Sequence, residues 1–339
     1  MRIITLSLLL CGLVIPSFGV RPPLKGYTYA SEQAPTGKEW QSPENLALNK
    51  EQPHAWFFPF QDIKSARKVL PENSIYWQSL NGNWKFNWAA DPDSRPKDFY
   101  KTDFDVTAWD NIPVPSSWNI YGIQQDGSLK YGVPIYVNQP VIFMHSVKVD
   151  DWRGGVMRTP PTNWTTYKYR NEVGSFRREF EIPEHWDGRE VFISFDGVDS
   201  FFYLWINGMY VGFSKNSRNT ANFNITNYLR SGKNIVAAEV YRNSDGSFLE
   251  AQDMFRLPGI FRTVALYSTP KVQIRDLVAT PDLDNNYTDG SLTIQADIRN
   301  FGKKTAKGYK VCYSLYANKL YSDENEPVIL ATDTKGAAI

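Results

Sequence analysis

Cysteine and histidine are both scarce in this chain. Of its 339 residues only two are cysteines, Cys11 and Cys312, and Cys11 lies in an apolar N-terminal stretch that we expect to be removed. A mature chain with Cys312 alone has no intrachain disulfide, which excludes the class of small secreted domains held together by disulfides. The three histidines, His54, His145 and His185, are far apart in the sequence, so no histidine-based metal cluster is predicted. No P-loop or G-x-S-x-G motif is present.

Excess charge is also lacking. The chain has 37 Lys and Arg against 36 Asp and Glu, a formal net charge of +1. This balance gives no electrostatic reason for nucleic acid or a membrane surface to be a partner, and we expect neither. At the N-terminus Arg2 is followed by an apolar run, Ile3 to Ile15, and then by small residues, the pattern of a secretory signal peptide. We therefore predict a signal peptide over residues 1–20 and a periplasmic or secreted protein.

Aromatic residues and strand patterns are abundant, with 11 Trp, 19 Tyr and 20 Phe. The segment "FFYLWINGMYVGFS" predicts a hairpin that turns at Asn207-Gly208. Short strands separated by turn signals predict an antiparallel sandwich, with Trp186 and Trp205 in its core. Helix is expected only in short pieces, for example around residues 95–104. Two other segments alternate apolar residues along one strand face: Val191, Ile193 and Phe195, and then Val236, Ala238 and Val240.

The sequence divides into regions of different pattern. Residues 21–75 are irregular and polar, typical of an arm that lies over a neighbouring domain. Residues 76–268 carry the sandwich pattern. Residues 269–339 contain amphipathic strands such as "VQIRDLVATPDL" and "GSLTIQADIRNFG", at the spacing of an immunoglobulin-like sandwich. Because "EPVILATDTKGAAI" ends soon after a strand that still needs partners, we expect this last domain to be truncated.

One acidic stretch, "SDGSFLEAQDMFRLPGIFR" from Ser244 to Arg262, carries Asp245, Glu250 and Asp253. The residues alone leave three interpretations: a solvated loop, a cation site built from carboxylates and carbonyls, or a sugar site in which a carboxylate accepts hydrogen bonds from hydroxyls. Apolar side chains are interleaved with these charges. They argue against a purely solvated loop, because such a loop is held against an apolar surface and its carboxylates are directed.

The same stretch closely resembles the signature of the sugar-binding domain of glycoside hydrolase family 2, found in the large bacterial β-galactosidases. "EWQSPENLALNK" resembles the N-terminal arm of that family, and "SLNGNWKFNW" resembles its first jelly-roll strand. "WDNIPVPSSWNIYG", "YGVPIYVNQPVIF" and "SFRREFEIPEHWDGREVFISFDGVDSFFYLWING" follow in the family's order. The resemblance implies an all-β chain, with a jelly-roll β-sandwich of the galactose-binding type followed by a partial immunoglobulin-like β-sandwich.

Two residues match family positions that contact substrate. Asn138, in "IYVNQP", matches a substrate-contacting Asn. Asp253, in "AQDMFR", matches an Asp that binds galactosyl hydroxyls and helps to hold a sodium ion. An amide and a carboxylate together donate and accept hydrogen bonds, as recognition of a sugar's stereochemistry requires.

Asp245 matches a ligand of a second, magnesium site that the family's arm completes. Here the sequence departs from the family, because Lys215 stands in place of a Gln, and Glu39 and Ser42 stand where the arm supplies Asp and Asn. An ammonium group at that place can substitute electrostatically for a divalent ion. We therefore expect no magnesium and interpret Asp245 as structural.

Family members hydrolyse glycosides with retention, using two glutamates on a (β/α)₈ barrel. Such a barrel takes about 250 residues, far more than follow Ser268, so the resemblance assigns no catalytic residue here and neither Glu239 nor Glu250 fills that role. We expect the N-terminal portion of an exported β-galactosidase that acts on terminal non-reducing β-D-galactosides. Its partner would be a catalytic barrel in the same or a neighbouring polypeptide. Association into a homo-oligomer is a further possibility. The alternative is a stand-alone carbohydrate-binding module, and β-glucuronidases and β-mannosidases share the same jelly roll.

Overall fold

The structure is a computed structural model that describes residues 5–8, 34–136, 171–250, 255–317 and 328–337. Strands dominate it, which confirms the all-β prediction. The strands are β1 (Thr5–Leu8), β2 (Ala47–Leu48), β3 (Trp77–Ser79), β4 (Gly82–Ala89), β5 (Asp110–Val114), β6 (Ile135–Tyr136), β7 (Val173–Glu181), β8 (Glu190–Phe195), β9 (Val198–Asp199), β10 (Phe201–Ile206), β11 (Met209–Lys215), β12 (Ala221–Asn224), β13 (Lys233–Tyr241), β14 (Phe255–Arg256), β15 (Gly259–Ile260), β16 (Val264–Thr269), β17 (Val272–Leu283), β18 (Gly290–Asn300), β19 (Tyr309–Ala317) and β20 (Val328–Ala337).

Helices are short. The α-helices are α1 (Ile63–Ala66), α2 (Trp118–Tyr121) and α3 (Ser247–Glu250), and single 3₁₀ turns occur at Glu39–Gln41, Pro71–Asn73, Glu184–Trp186 and Thr226–Tyr228. Over the described residues no helix is both long enough and apolar enough to cross a membrane.

The chain forms two compact units. One comprises Pro22–Gln52 and Phe58–Ser268, and the other comprises Met1–Arg21, Pro53–Phe57 and Thr269–Ile339. The first unit is the sandwich, and its main sheets have the strand orders β2-β11-β10-β13-β7-β4-β5 and β12-β8-β16-β3. The predicted hairpin is confirmed: β10 pairs antiparallel with β11, and Asn207 and Gly208 turn between them with φ of 53° and 82°. Both values suit the tight turn that joins twisted strands.

Alternation along the strands fills two apolar clusters of the sandwich. The larger one, called the main core here, contains Ile193, Val236, Ala238 and Trp186. A second cluster contains Trp205 together with Ala237 and Tyr241, which lie on the opposite face of β13 from Val236 and Ala238. The predicted burial of Trp186 and Trp205 is confirmed, since they are 1% and 3% exposed. The strands are therefore apolar on both faces, which explains the high aromatic content.

The described arm residues 34–52 and 58–75 lie within the sandwich unit, whereas Pro53–Phe57 belong to the other unit. Strand β2 of the arm pairs with β11, with Leu48 opposite Phe213. Trp40 is buried and stacks on Tyr241 with ring centroids 5.6 Å apart. The arm thus adds an edge strand and a buried indole to the second cluster.

The expectation of a helix around residues 95–104 is wrong, because this segment forms turns and bends. The guanidinium of Arg177 donates to the carbonyls of Phe99, Thr102 and Phe104 at 2.8–3.2 Å. Tyr100 stacks on Trp205 with centroids 4.9 Å apart and an interplanar angle of 5°. The carbonyls that a helix would pair internally therefore bond to a side chain of β7, and the aromatic rings pack onto the sheet.

In the second unit β17 pairs antiparallel with β18 and β19 pairs with β20. Strand β1 pairs parallel with β18 and lies within the segment predicted to be a signal peptide, a prediction that stands untested. Apolar side chains along β17 are partly exposed, such as Ile274 at 40% and Val278 at 50%. Over its described residues this unit consequently buries its apolar side chains less completely than the sandwich does.

Candidate functional site

The two residues expected to contact substrate, Asn138 and Asp253, lie outside the described residues. The structure does describe the strands that border them. Strand β6 ends at Tyr136 and β14 begins at Phe255, and these two residues are opposite each other in an antiparallel pair. Two segments far apart in the sequence are therefore adjacent in the fold.

A fully buried ion pair lies beside this strand pair. Arg242 Nη1 is 2.5 Å from Glu172 Oε1, and both side chains are inaccessible to solvent. The other carboxylate oxygen of Glu172 accepts hydrogen bonds from Trp118 Nε1 at 3.0 Å and Asn119 Nδ2 at 3.2 Å, with Trp88 Nε1 at 3.4 Å. A carboxylate removed from bulk solvent is costly unless protein donors satisfy its oxygens, and these residues supply them.

The same ion pair holds the segment that leads into β6. Arg242 Nη2 donates to the Val133 carbonyl at 2.7 Å, and Asn119 Nδ2 donates to the Tyr131 carbonyl at 2.5 Å. Between these two residues, Gly132 has a φ of 75°, and a Cβ there would lie 2.3 Å from Glu172 Oε1. Glycine is therefore required at this position for two reasons, its backbone conformation and the close approach of the carboxylate.

A second group of charges lies around β14. Ser217 donates to Glu250 from its backbone N at 2.8 Å and from Oγ at 2.5 Å, and Arg218 lies 3.6 Å from Asp199. Asp199, Arg218 and Glu250 line a small cleft together with Ser247, Phe255 and Arg256. Because Glu250 ends α3 and Arg256 is in β14, members of this group stand on both sides of residues 251–254 in the sequence.

Burial sets the protonation behaviour of this group. Desolvation raises the pKa of Asp199 to about 6, against the opposing field of Arg218 and reinforced by Glu250. Desolvation also lowers the pKa of Arg256 to about 10, although Asp199 and Glu250 favour its charged form. Arg242 of the buried ion pair also lowers the pKa of Asp199, so the two groups of charges interact electrostatically. Together they form what we call the charged cluster: Glu172, Asp199, Glu250, Arg218, Arg242 and Arg256.

Asp245 is engaged by Lys215. The Lys215 ammonium lies 2.9 Å from the Asp245 carboxylate, with 2% and 8% of their side chains exposed, and it donates to the Ser42 carbonyl at 2.7 Å. Asp245 N also donates to the Trp40 carbonyl at 2.9 Å. A buried ammonium thus occupies the space between the arm and Asp245, and these residues do not fit a magnesium site.

Glu39, the other arm residue considered for that site, faces a different partner. Its carboxylate accepts from the Tyr203 hydroxyl at 2.5 Å and from Thr36 N at 2.8 Å. Burial by itself raises the pKa of Glu39, but these hydrogen bonds outweigh it and leave the pKa below its ordinary value. Glu39 therefore anchors the arm on the second apolar cluster.

The glutamates that the sequence left without a catalytic role have structural partners. Glu239 accepts from Arg95 Nε at 2.9 Å and from the Tyr241 hydroxyl at 2.8 Å, and burial raises its pKa. Glu250 bonds to Ser217. His54 and His185 contact backbone carbonyls, whereas His145 is not among the residues described. Within the described ranges, no three His, Cys, Asp or Glu residues are grouped as metal ligands.

Sequence reasoning missed Glu172, Arg242, Asn119 and Asp199. A signal existed for two of them, since Glu172 directly precedes the apolar start of β7 and Arg242 directly follows the apolar end of β13. One charge lies just before β7 and the opposite charge just after β13. These positions indicate a buried ion pair only when the register between the two strands is known.

Comparison with known proteins defines the class of the sandwich. Residues 77–270 match the family model described as "Glycosyl hydrolases family 2, sugar binding domain". The chain therefore belongs to glycosyl hydrolase family 2.

Individual relatives are much longer proteins. The chain is 42% identical over 264 residues to a β-galactosidase of Priestia megaterium, a match that covers 78% of this chain and 24% of that protein. It is 36% identical over 259 residues to a β-galactosidase of Halalkalibacterium halodurans, covering 76% of this chain and 23% of that protein. The chain thus spans about a quarter of the length of these relatives.

Solved structures share the fold. A β-glucuronidase from glycoside hydrolase family 2 superposes with a TM-score of 0.53 at 18% identity, covering 78% of this chain and 25% of that one. A β-glycosidase from Bacteroides vulgatus gives a TM-score of 0.51 at 20% identity, covering 76% of this chain and 27% of that one. At these identities the likeness concerns the fold.

Proposed function

We propose that this chain is the N-terminal portion of an exported β-galactosidase that hydrolyses terminal non-reducing β-D-galactosides. The observation that carries the proposal is the 42% identity to the Priestia megaterium β-galactosidase over 264 residues. The matched family model is itself described as a sugar-binding domain. The role of this chain is to bind the galactosyl group within an active site that another domain completes.

The strand pair β6–β14 supports the assignment of Asn138 and Asp253 to one site. Each residue is two positions from a member of the opposed pair Tyr136 and Phe255. Two residues of chain span at most about 7 Å, so both are tethered close to the same point. An amide and a carboxylate tethered together supply the donors and acceptors that adjacent sugar hydroxyls require.

The catalytic step belongs to a different part of the enzyme. Retaining hydrolysis requires two suitably spaced carboxylic acids, which family members carry on a (β/α)₈ barrel. The described residues form strands and short helices, so we assign the two acids to a barrel in the same or a neighbouring polypeptide. Sodium is proposed at Asp253, where a carboxylate suits a hard cation.

The alternative function is a stand-alone carbohydrate-binding module. The description of the matched family model as a sugar-binding domain is the observation that favours it. Both functions involve binding of galactosides, but only the first involves hydrolysis by the complete polypeptide that contains these residues.

The test is Asp253→Asn in that complete polypeptide, assayed on an aryl β-galactoside with and without sodium. The amide keeps the shape but loses the negative charge. Charge-assisted hydrogen bonds contribute about 1.5–3 kcal/mol each, so losing one or two lowers kcat/KM by roughly one to four orders of magnitude. Asn138→Ala should impair the same step, less than additively with Asp253→Asn if both contact neighbouring hydroxyls.

The matched control is Asp103→Asn, which neutralises an exposed aspartate of the sandwich unit. It should leave kcat/KM within about twofold, as for most surface substitutions. Near-normal kinetics of Asp253→Asn with an unchanged sodium response would contradict the site assignment. Galactoside binding without hydrolysis by the complete polypeptide would favour the alternative function.

Export has its own test. Sequencing the N-terminus of the protein from a periplasmic or secreted fraction should show that cleavage has occurred near residue 20. Recovery of the uncleaved chain in the cytoplasm alone would contradict the predicted signal peptide.

A further inference from the structure

The segment before β6 is held by side chains rather than by a sheet. Residues 131–134 precede β6 and form no strand. Two of their backbone carbonyls accept hydrogen bonds from side chains, Tyr131 from Asn119 and Val133 from Arg242, and the Tyr131 hydroxyl donates to Asp110. Asn119 and Arg242 also bond to Glu172. The path of the backbone into β6 thus depends on one buried carboxylate and its partners.

Arg242 connects this segment to the strand that leads toward the acidic loop. It directly follows β13, and its backbone N donates to the Glu172 carbonyl at 2.9 Å. Asn171 and Asn243 extend this connection, since Asn171 Nδ2 donates to the Asn243 carbonyl at 3.0 Å and Asn243 N donates to Asn171 Oδ1 at 2.8 Å. The two backbones are therefore fixed to each other beyond the end of the β7–β13 ladder.

We propose that Glu172 and Arg242 are positioning residues that set the location of the β6–β14 pair and thereby the affinity of the enzyme for galactosides. The inference rests on the proposed function, because the sugar contacts are those assigned to Asn138 and Asp253. The guanidinium acts as a fork: one nitrogen bonds to Glu172 and the other bonds to the Val133 carbonyl. Trp118 and Asn119 hold the carboxylate in place and so fix the fork.

A merely structural ion pair makes a different prediction. It would affect the melting temperature but leave galactoside affinity unchanged in protein that remains folded. Positioning instead affects affinity at temperatures far below melting, because small displacement of a binding group weakens the contacts it makes. The two roles are therefore separable by measurement.

The principal variant is Arg242→Lys in the complete polypeptide. Lysine keeps the positive charge but lacks the planar fork, so it does not hold Glu172 and the Val133 carbonyl in the same geometry. We expect the Kd for isopropyl 1-thio-β-D-galactoside, measured by calorimetry, and KM for an aryl galactoside to rise about tenfold to a hundredfold, the range for a slightly misplaced group. The value of kcat should change less than KM.

A readout independent of activity is hydrogen exchange of backbone amides. In Arg242→Lys, peptides covering residues 131–136 and 255–260 should exchange faster than in the wild type, while a peptide covering β13 should not. This measurement tests the positioning step even in protein that does not turn over substrate.

A matched control exists in the same unit. Arg95 also pairs with a glutamate, the buried Glu239, at 2.9 Å, although Arg95 itself is only partly buried, and its Nη1 donates to the Pro92 carbonyl at 2.5 Å. Arg95→Lys removes the same fork elsewhere in the sandwich. It should lower the melting temperature without raising the Kd for the thiogalactoside.

If Arg242→Lys does not fold, the double variant Glu172→Gln with Arg242→Met removes both charges while conserving volume. Unchanged exchange at 131–136 and unchanged thiogalactoside affinity in a folded variant would overturn the proposal. Absence of galactoside binding in the wild type, or no effect of Asp253→Asn, would instead contradict the proposed function, so the two failures are distinguishable.

Discussion

The main core and the charged cluster of the sandwich differ in how their residues come together. The main core collects apolar side chains at alternate positions of the strands, such as Val191, Ile193 and Phe195 in β8. The charged cluster collects single residues from strand ends and loops, and each has an opposite charge or a hydrogen-bond donor nearby. A core of the first kind stabilises the fold by removing apolar area from water. Buried charges of the second kind fix geometry more than they add stability.

The sharpest test of this difference is the polypeptide of these 339 residues by itself. We expect it to fold and to melt cooperatively because the sandwich has its own core. We also expect no hydrolysis of an aryl galactoside, because retaining chemistry requires a pair of acids that this chain is not predicted to provide. Turnover above background by rigorously purified protein would contradict the expectation, provided that it persists when the active site of any β-galactosidase of the expression host has been inactivated by substitution.

A substitution in the main core should separate stability from function. Ile193 is 0% exposed, and Ile193→Ala should lower the free energy of unfolding by about 2–5 kcal/mol. In the complete polypeptide, kcat/KM measured well below the melting temperature should stay within about twofold. Denaturant unfolding and steady-state kinetics check these two values.

The control for this prediction is Ile120→Ala, since Ile120 is 48% exposed. It should change the free energy of unfolding by about 0.5 kcal/mol or less. If Ile193→Ala lowered kcat/KM as strongly as Asp253→Asn, the division between the main core and the charged cluster would not hold.

The sequence predicted the main core better than the charged cluster, for a physical reason. Alternation has a period of two along a strand, so Val236, Ala238 and Val240 could be assigned to one face from the sequence alone. The hairpin at Asn207-Gly208 was equally readable, because few residue pairs adopt its backbone angles.

The charged cluster depends on contacts between residues distant in the sequence. Glu172 and Arg242 meet because Val173 pairs with Tyr241, and no local pattern specifies that register. The incorrect prediction of a helix at 95–104 has the same origin, since Arg177, from the distant strand β7, donates hydrogen bonds to the carbonyls of this segment. Lys215 beside Asp245 was anticipated, but only from the resemblance to the family.

The protonation of Asp199 offers a smaller test of the charged cluster. Its pKa is raised from 3.8 to about 6 in the folded protein, so the folded state binds more protons than the unfolded state between these values. Stability contributed by Asp199 is therefore present below about pH 4 and is lost as the pH rises through about 6. The rise in pKa corresponds to roughly 3 kcal/mol. It is a net value, in which Arg218, Arg242 and Arg256 already offset part of the desolvation.

The measurement is the free energy of unfolding of wild type and Asp199→Asn at pH 4.5 and pH 7. The wild type should lose more stability between these two values than Asp199→Asn, which has no proton to release. The comparison between the two proteins cancels the contribution of other groups with raised pKa values, such as Asp196 and Glu239. Equal pH dependence in both proteins would show that Asp199 is not the titrating group.

The smallest expected effect concerns magnesium at the arm. Because the Lys215 ammonium bonds to both Asp245 and the Ser42 carbonyl, a divalent ion would be repelled and would find its ligands occupied. We expect saturating magnesium chloride to leave the melting temperature unchanged relative to sodium chloride of equal ionic strength. Lys215→Gln removes the charge and offers an oxygen ligand, so this variant should be less stable than the wild type and should regain stability with magnesium. A saturable magnesium shift in the wild type, abolished by Asp245→Ala, would show that the buried ammonium does not replace the ion.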